Sequence, residues 1–189
     1  MSLSSSNARV EARRERLTDA AQAVFVREGL RGASMERIAA EAGVARATAY
    51  AYFSDKEDAF RQVAFRLADQ MVECVQAALA APGPPADRIR AALQAKHEMG
   101  FRVARQSPFA ADLFAAKDRL AGPAFAVAEQ QIAAALAASM AELGVADASA
   151  AAQVLLAAST GVANVATEFT SLTVQLALPV DAMVRGLTA

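Results

Sequence analysis

Apolar side chains return every three or four positions in segment after segment of this chain, and no stretch alternates strand-like over a useful length. That period belongs to helices packed through one face, so the expected fold is all-α. The first segment covers roughly residues 10–27: Leu17, Ala20, Ala21, Val24 and Phe25 share a face, with arginines and glutamates opposite. Gly29 and Gly32 end it. Ser34 is the expected N-cap of a short second helix to about Ala42, with Glu36 in its first turn and Gly43 as the left-handed residue that stops it. A third segment runs over about 45–53. Ser54-Asp55-Lys56-Glu57 then has capping-box spacing, the serine bonding the Glu57 amide while Glu57 reaches back. It opens a long helix to about Ala80, lined on one side by Phe60, Val63, Ala64, Leu67, Met71, Cys74, Val75 and Leu79. After Pro82-Gly83-Pro84-Pro85 come segments at about 86–106, 109–119, 123–143, 147–177 and 180–187, divided by Ser107-Pro108, Gly122-Pro123, Gly144 and Pro179. The pattern predicts about nine helices in all.

Two short helices joined by a glycine turn, followed by the start of a long one, form the layout of a helix-turn-helix, whose second helix enters the DNA major groove. Residues 1–54 are therefore read as a three-helix DNA-binding domain and 55–189 as a larger helical bundle. On a helical wheel, Ala45, Ala49, Tyr52 and Phe53 of the third segment turn inward. Ala47 and Ala51 lie opposite, with Arg46 and Tyr50 on one shoulder and Thr48 on the other. Small residues let such a helix sink into a groove, and alanine methyls can touch thymine methyls. Arg46 suits a guanine or a phosphate; Thr48 and Tyr50 suit phosphates or base edges.

Composition changes this picture little. The 189 residues are 55% hydrophobic, ample for a core, and the net charge of −1 lends no overall support to nucleic-acid binding. Locally, Arg9, Arg13, Arg14 and Arg16 outnumber Glu11 and Glu15, which fits either a solvated helix start or a phosphate-contacting arm. One cysteine, Cys74, excludes a disulfide within the chain and a multi-cysteine metal site; one histidine, His97, excludes a histidine cluster. No cofactor is implied. The first residues lack an apolar signal-like run, and the most apolar window, about 150–166, is interrupted by Gln153, Ser159, Thr160 and Asn164. It reads as a buried helix instead of a membrane span, so a soluble cytoplasmic chain without a membrane partner is expected. An enzyme is not expected: Ser107 or Ser159 with His97 lacks a nucleophile-elbow setting, and no phosphate-cradling glycine loop is present.

Lys56 breaks a local rule. A cation in a helix's first turn opposes the macrodipole by about 0.3–1 kcal/mol, which suits a phosphate contact made together with the free amides there, or else a pairing with Asp55 or Asp58.

With these residues assembled, positions 9–61 resemble the DNA-binding domain of the TetR family of bacterial transcriptional regulators. The carrying pieces are Ala20-Ala21-x-x-x-Phe25, Gly29, Ser34-Met35-Glu36-Arg37-Ile38-Ala39, Ala42-Gly43-Val44, Thr48-Ala49-Tyr50-Ala51-Tyr52-Phe53 and Lys56-Glu57. The resemblance covers about a third of the chain. Ser34 stands where the family has a phosphate-contacting threonine, and Thr48, Tyr50, Tyr52 and Lys56 match its DNA-contact positions. Arg13, Met35, Arg46 and Ala47 complete the candidate DNA-binding set. Ala45 replaces a frequent capping serine or threonine, Ala47 a frequent glycine and Ala49 a frequent leucine, departures that bear on sequence preference and local stability.

The resemblance further implies a homodimer that binds double-stranded operator DNA and responds to a small effector. Phe65, Met99, Phe101, Phe109, Phe114 and Phe125, with Asn164 and Glu168 as polar members, are the candidate effector-binding residues; Met140, Phe169, His97 and Gln130 share their character. Such residues serve equally as core, and an apolar or aromatic effector fits them. Ala151, Val154, Leu155, Ala158, Val162 and Val165, with Ala150 and Gly161, form a small-residue face suited to a dimer interface or to packing within one subunit. The expected function is that of a DNA-binding regulator, most simply a repressor released by its effector. The alternative is a ligand- or protein-binding helical bundle that no longer reads DNA.

Overall fold

The computed structural model describes residues 2–166 and 168–187. Among them are eight helices and no strand: α1 Ser2–Gly32, α2 Met35–Glu41, α3 Arg46–Tyr50, α4 Lys56–Ala80, α5 Pro85–Gln106, α6 Ala110–Glu142, α7 Ala148–Val165 and α8 Phe169–Leu187. They fold as two compact units. The first takes the chain up to Leu67 together with Val103–Gly122; the second takes Ala68–Arg102 and the chain from Pro123 onward. Each of α4, α5 and α6 thus contributes residues to both units.

In the first unit the inward face of α1 is buried as the pattern demands, with Leu17, Ala21, Val24 and Phe25 nearly inaccessible. Ile38 and Ala39 of α2, Ala49 of α3, Phe53, and Phe60 and Val63 of α4 join them. The Phe25 and Phe60 rings meet edge-on, centroids 5.2 Å apart. Full burial of a side chain such as Leu17, Ile38 or Phe53 contributes about 1.5–3 kcal/mol, which is what holds helices of seven and five residues that could not persist alone.

The turn between α2 and α3 follows its glycine. Gly43 has φ 64°, and the Gly43 and Val44 amides donate back to the Ala40 and Ala39 carbonyls. This paired closure satisfies the last carbonyls of α2 and needs a left-handed residue at that position. Ser34 caps the other end of α2, its hydroxyl accepting from the Arg37 amide at 3.3 Å.

Other expectations are corrected. The capping box at α4 lies one residue later: Asp55 accepts from the Asp58 amide at 2.7 Å and Asp58 accepts from the Ser54 amide at 2.9 Å. An aspartate competes well for that role, and Glu57 instead faces Arg119 at 3.3 Å. The third helix is shorter than expected, ending at Tyr50, and Ala45 is exposed because it stands before the helix in extended backbone. Cys74 is exposed, at the edge of the stripe that Met71, Val75 and Leu79 bury.

The second unit packs the rest of α4 and α5 with α6, α7 and α8 around Val75, Ile89, Leu93, Ile132, Leu136, Met140, Leu155, Leu172, Leu176 and Val180. Two prolines expected to divide helices do not. At Pro123 the preceding Gly122 has no Cβ to clash with the ring, so α6 continues. At Pro179, Leu172, Leu176 and Val180 recur every fourth position and are each fully buried, which offsets a proline cost of about 3 kcal/mol. The break that does occur, at Ala166 with φ −70° and ψ 127°, carries no glycine or proline to announce it. By length and composition alone α6 and α7 could each cross a membrane; here their inward residues build this core.

Candidate nucleic-acid interface

Helix α3 anchors itself through Ala49, fully buried, while Phe53 just beyond it fills the core beneath. The opposite side is open: Arg46, Ala47, Tyr50 and Ala51 are exposed and Thr48 is half-buried. The exposed surface thus has the composition expected of a groove-reading helix, two methyls among three hydrogen-bonding side chains. No side chain caps its N-terminus, since Ala45 has none to offer.

Arg46 is not a free cation. Its Nη1 lies 2.8 Å from a Glu36 carboxylate oxygen, and its Nη2 donates to the Tyr50 hydroxyl at 3.4 Å. The guanidinium also sits over the Tyr50 ring, 5.3 Å from the centroid. These contacts raise the Arg46 pKa further, the Tyr50 hydroxyl first and the Glu36 charge next. The Glu36 carboxyl is held below its ordinary range by its own amide, then by the Ser34 hydroxyl, and also by Arg46. Glu36 had no local signature as a partner, because it reaches Arg46 from another helix.

Lys56 serves a purpose that its position in the sequence did not suggest. Its Nζ donates to the Arg31 and Ala33 carbonyls, both at 3.2 Å. The cation therefore closes the carbonyl end of α1, where the helix dipole favours positive charge, instead of pairing with Asp55 or Asp58. Nearby, α1 turns sharply at Gly29, φ 69° and ψ 172°. The Leu30 amide beyond that turn donates to Asp112 at 3.2 Å, and Phe109 packs against the glycine itself.

The remaining candidates sort by burial. Ser34 is half-buried beside Glu36, while Met35 is buried with Ile38 and Ala39 and turns no side chain to solvent. Arg13 is exposed on α1; its neighbour Arg14 lies over the Tyr52 ring, 5.6 Å from the centroid.

Of the aromatic set, Phe65, Phe109 and Phe114 belong to the first unit and are exposed. Met99, Phe101 and Phe125 pack against the core of the second, where Phe101 meets Phe169 edge-on at 5.9 Å. Asn164 and Glu168 are exposed. On the α7 face, Ala151 and Leu155 are buried within the chain's own core, Ala158 and Val162 are half-buried, and Val154 and Val165 are open.

His97 and Ser159 do come together, Nε2 to Oγ 3.0 Å, inside the second unit. Ser159 is fully buried and its hydroxyl donates to the Leu156 carbonyl at 2.7 Å. With the serine's single proton so placed, His97 must donate through Nε2–H, the reverse of what a general base does. Burial, reinforced by the neighbouring Lys96 charge, pushes the ring's pKa down to about 3 and keeps it neutral. Lys96 itself is buried and paired with Glu129 at 2.9 Å, a buried cation that its place in α5 did not foretell.

Residues 17–63 match the family model of bacterial regulatory proteins, tetR family. Over 83 residues the chain is 39% identical to the HTH-type transcriptional activator FasR of Mycolicibacterium smegmatis, a match covering 44% of this chain and 38% of that protein's length. The whole fold is similar to a transcriptional regulator from Rhodococcus sp. Rha1, with a TM-score of 0.72 at 23% identity over 93% of this chain and 98% of that one. A TetR-family transcriptional regulator from Pectobacterium atrosepticum superposes with a TM-score of 0.69 at 22% identity, covering 95% of this chain and 96% of that one. Residues 17–63 thus match the amino-terminal domain of bacterial regulatory proteins of the tetR family, and the fold is similar to that of solved transcriptional regulators.

Proposed function

We propose that this protein is a cytoplasmic, sequence-specific DNA-binding transcriptional regulator, a homodimeric repressor released from a palindromic operator by a small, largely apolar effector. The observation that carries the DNA-binding part is the open face of α3, where Arg46, Ala47, Thr48 and Tyr50 stand clear of a core sealed by Ala49 and Phe53. A helix-turn-helix delivers such a face to the major groove, and side chains of these types contact base edges and phosphates there.

Pairing of two copies draws support from open apolar residues on the last two helices: Val154 and Val165 on α7, 58% and 75% exposed, and Val174 and Leu178 on α8, 73% and 71% exposed. A two-fold pair sets two recognition helices in register with a palindrome. An apolar effector draws support from Met99, Phe101, Phe125 and Phe169, each packed partly buried against the second core, with Phe101 and Phe169 in contact. Coupling draws support from the topology, because α4, α5 and α6 run from one unit into the other. The effector would favour a geometry whose recognition helices no longer fit the operator, and by reciprocity operator must weaken effector binding by the same factor. FasR is named an activator, so the sign of regulation is a separate measurement, made with the operator placed over or upstream of a reporter promoter.

The direct test is selection of bound duplexes from a random library at near-physiological salt, in parallel with the Arg46→Ala/Tyr50→Ala protein. A palindromic site enriched by the parent and lost in the variant is the expected result. A folded parent that enriches no site, with or without candidate apolar effectors, would overturn the reading.

A further inference from the structure

The guanidinium of Arg46 is held from three sides. Glu36 lies 2.8 Å from Nη1, the Tyr50 hydroxyl accepts from Nη2, and the Tyr50 ring lies beneath. Glu36 is itself tied back to the start of α2. The Ser34 hydroxyl caps the same first turn of α2 by accepting from the Arg37 amide, and its nearness helps hold the Glu36 carboxyl in its charged form.

An exposed carboxylate on a surface meant for a polyanion needs a reason, since it repels every phosphate that approaches. An unrestrained arginine would grip phosphates wherever they lie, which adds affinity without sequence information. Held as it is here, Arg46 has given one N–H to Tyr50 and set Nη1 against the Glu36 carboxylate, and its remaining N–H groups are left for a fixed target. We propose that Glu36 is a specificity-determining positioning residue, orienting Arg46 for a base edge and suppressing its use as a mobile phosphate contact. The proposal rests on the DNA-binding reading above and deepens it: guanine, with its paired N7 and O6 acceptors, is the base such an arginine prefers.

The test compares the full-length parent and Glu36→Gln proteins on the selected site and on a scrambled duplex, over a series of salt concentrations. Glutamine keeps the size and helix propensity but removes the charge. Expected for Glu36→Gln is scrambled-duplex affinity about threefold to tenfold higher near 0.1 M salt, the scale of one unfavourable charge at a screened surface. The salt slope on scrambled DNA should steepen by about one, as Arg46 becomes free to neutralise a phosphate. Affinity for the selected site should not rise with it, so the ratio of specific to non-specific affinity falls about threefold to tenfold. In an Arg46→Ala background the same Glu36→Gln change should leave that ratio within about twofold, because the residue it positions is gone.

A Glu36→Gln ratio within about twofold of the parent, or the same loss of ratio in the Arg46→Ala background, would overturn the positioning role while leaving the functional reading intact. A folded parent that binds every duplex alike overturns both.

Discussion

Gly29 is the position where a single methyl group should do most harm to the amino-terminal unit. Its backbone, at φ 69° and ψ 172°, lies in a region populated essentially by glycine alone, so alanine there costs about 1–3 kcal/mol of backbone strain. Space compounds the strain. A Cβ at Gly29 would come within 3.0 Å of both the Cβ and Cγ atoms of Phe109, which lie too near their own backbone to swing away. Crowding of this kind costs about 1–3 kcal/mol, while the stiffer unfolded chain returns about 0.4–1 kcal/mol. The net expectation for Gly29→Ala is destabilisation by about 2–4 kcal/mol. The chain has two tyrosines, Tyr50 and Tyr52, and no tryptophan, so tyrosine fluorescence reports this unit selectively. In a urea titration the midpoint should fall by about 1–2 M with the slope unchanged, for a slope of about 2 kcal/mol/M. Adding Phe109→Ala, which removes the Cγ and Cδ1 contacts but keeps that of the Cβ, should recover part of the crowding and leave the backbone part, a coupling of about 1 kcal/mol between the two sites. A Gly29→Ala protein within about 0.5 kcal/mol of the parent would refute this account of the kink.

Three further outcomes follow from the same geometry. Asp112→Ala removes the acceptor of the buried Leu30 amide and should cost about 1–3 kcal/mol in the same titration, whereas Asp112→Asn, which keeps an acceptor, should recover most of it. The Asp112 contact with Arg31, 94% exposed, adds almost nothing. For His97, a pKa lowered from 6.5 to about 3 means that the unfolded chain takes up the proton first. Its contribution is complete above pH 6.5 and is lost as pH falls toward 3, at up to about 1.4 kcal/mol per pH unit, so His97→Gln should flatten the stability profile between about pH 4 and 6.5 in urea titrations followed by circular dichroism. Val165→Glu with Leu178→Glu, two open positions on α7 and α8, should leave the helical signal and urea midpoint of dilute protein unchanged and convert a dimer to a monomer in sedimentation; a dimer that survives both charges would place the interface elsewhere.

Much of this protein was legible in its sequence because local rules and the tertiary answer agree. The Ser34 cap, the Gly43 turn, the buried faces of α1 and α4 and the outward Arg46, Ala47 and Tyr50 all follow from periodicity and from what glycine and hydroxyl side chains do to nearby backbone. Punctuation failed where long-range burial overruled it. Pro179 does not end α8, because Leu176 and Val180 are sealed in the core, and nothing at Ala166 forecasts the break that lets α7 and α8 pack together. The capping box moved by one residue because two aspartates and a glutamate compete within a single turn, and spacing alone does not rank them.

Which charges meet was decided only in three dimensions. Glu36 finds Arg46 from another helix, Lys56 reaches back 25 positions to the Arg31 carbonyl, and Asp112 holds an amide 82 positions away. Such pairs leave no mark on local periodicity, since a contact between distant segments depends on where the whole chain brings them and not on the residues beside them. The sequence by itself determined that a helix-turn-helix would form and which face it would show. The tertiary structure decided how its arginine is held.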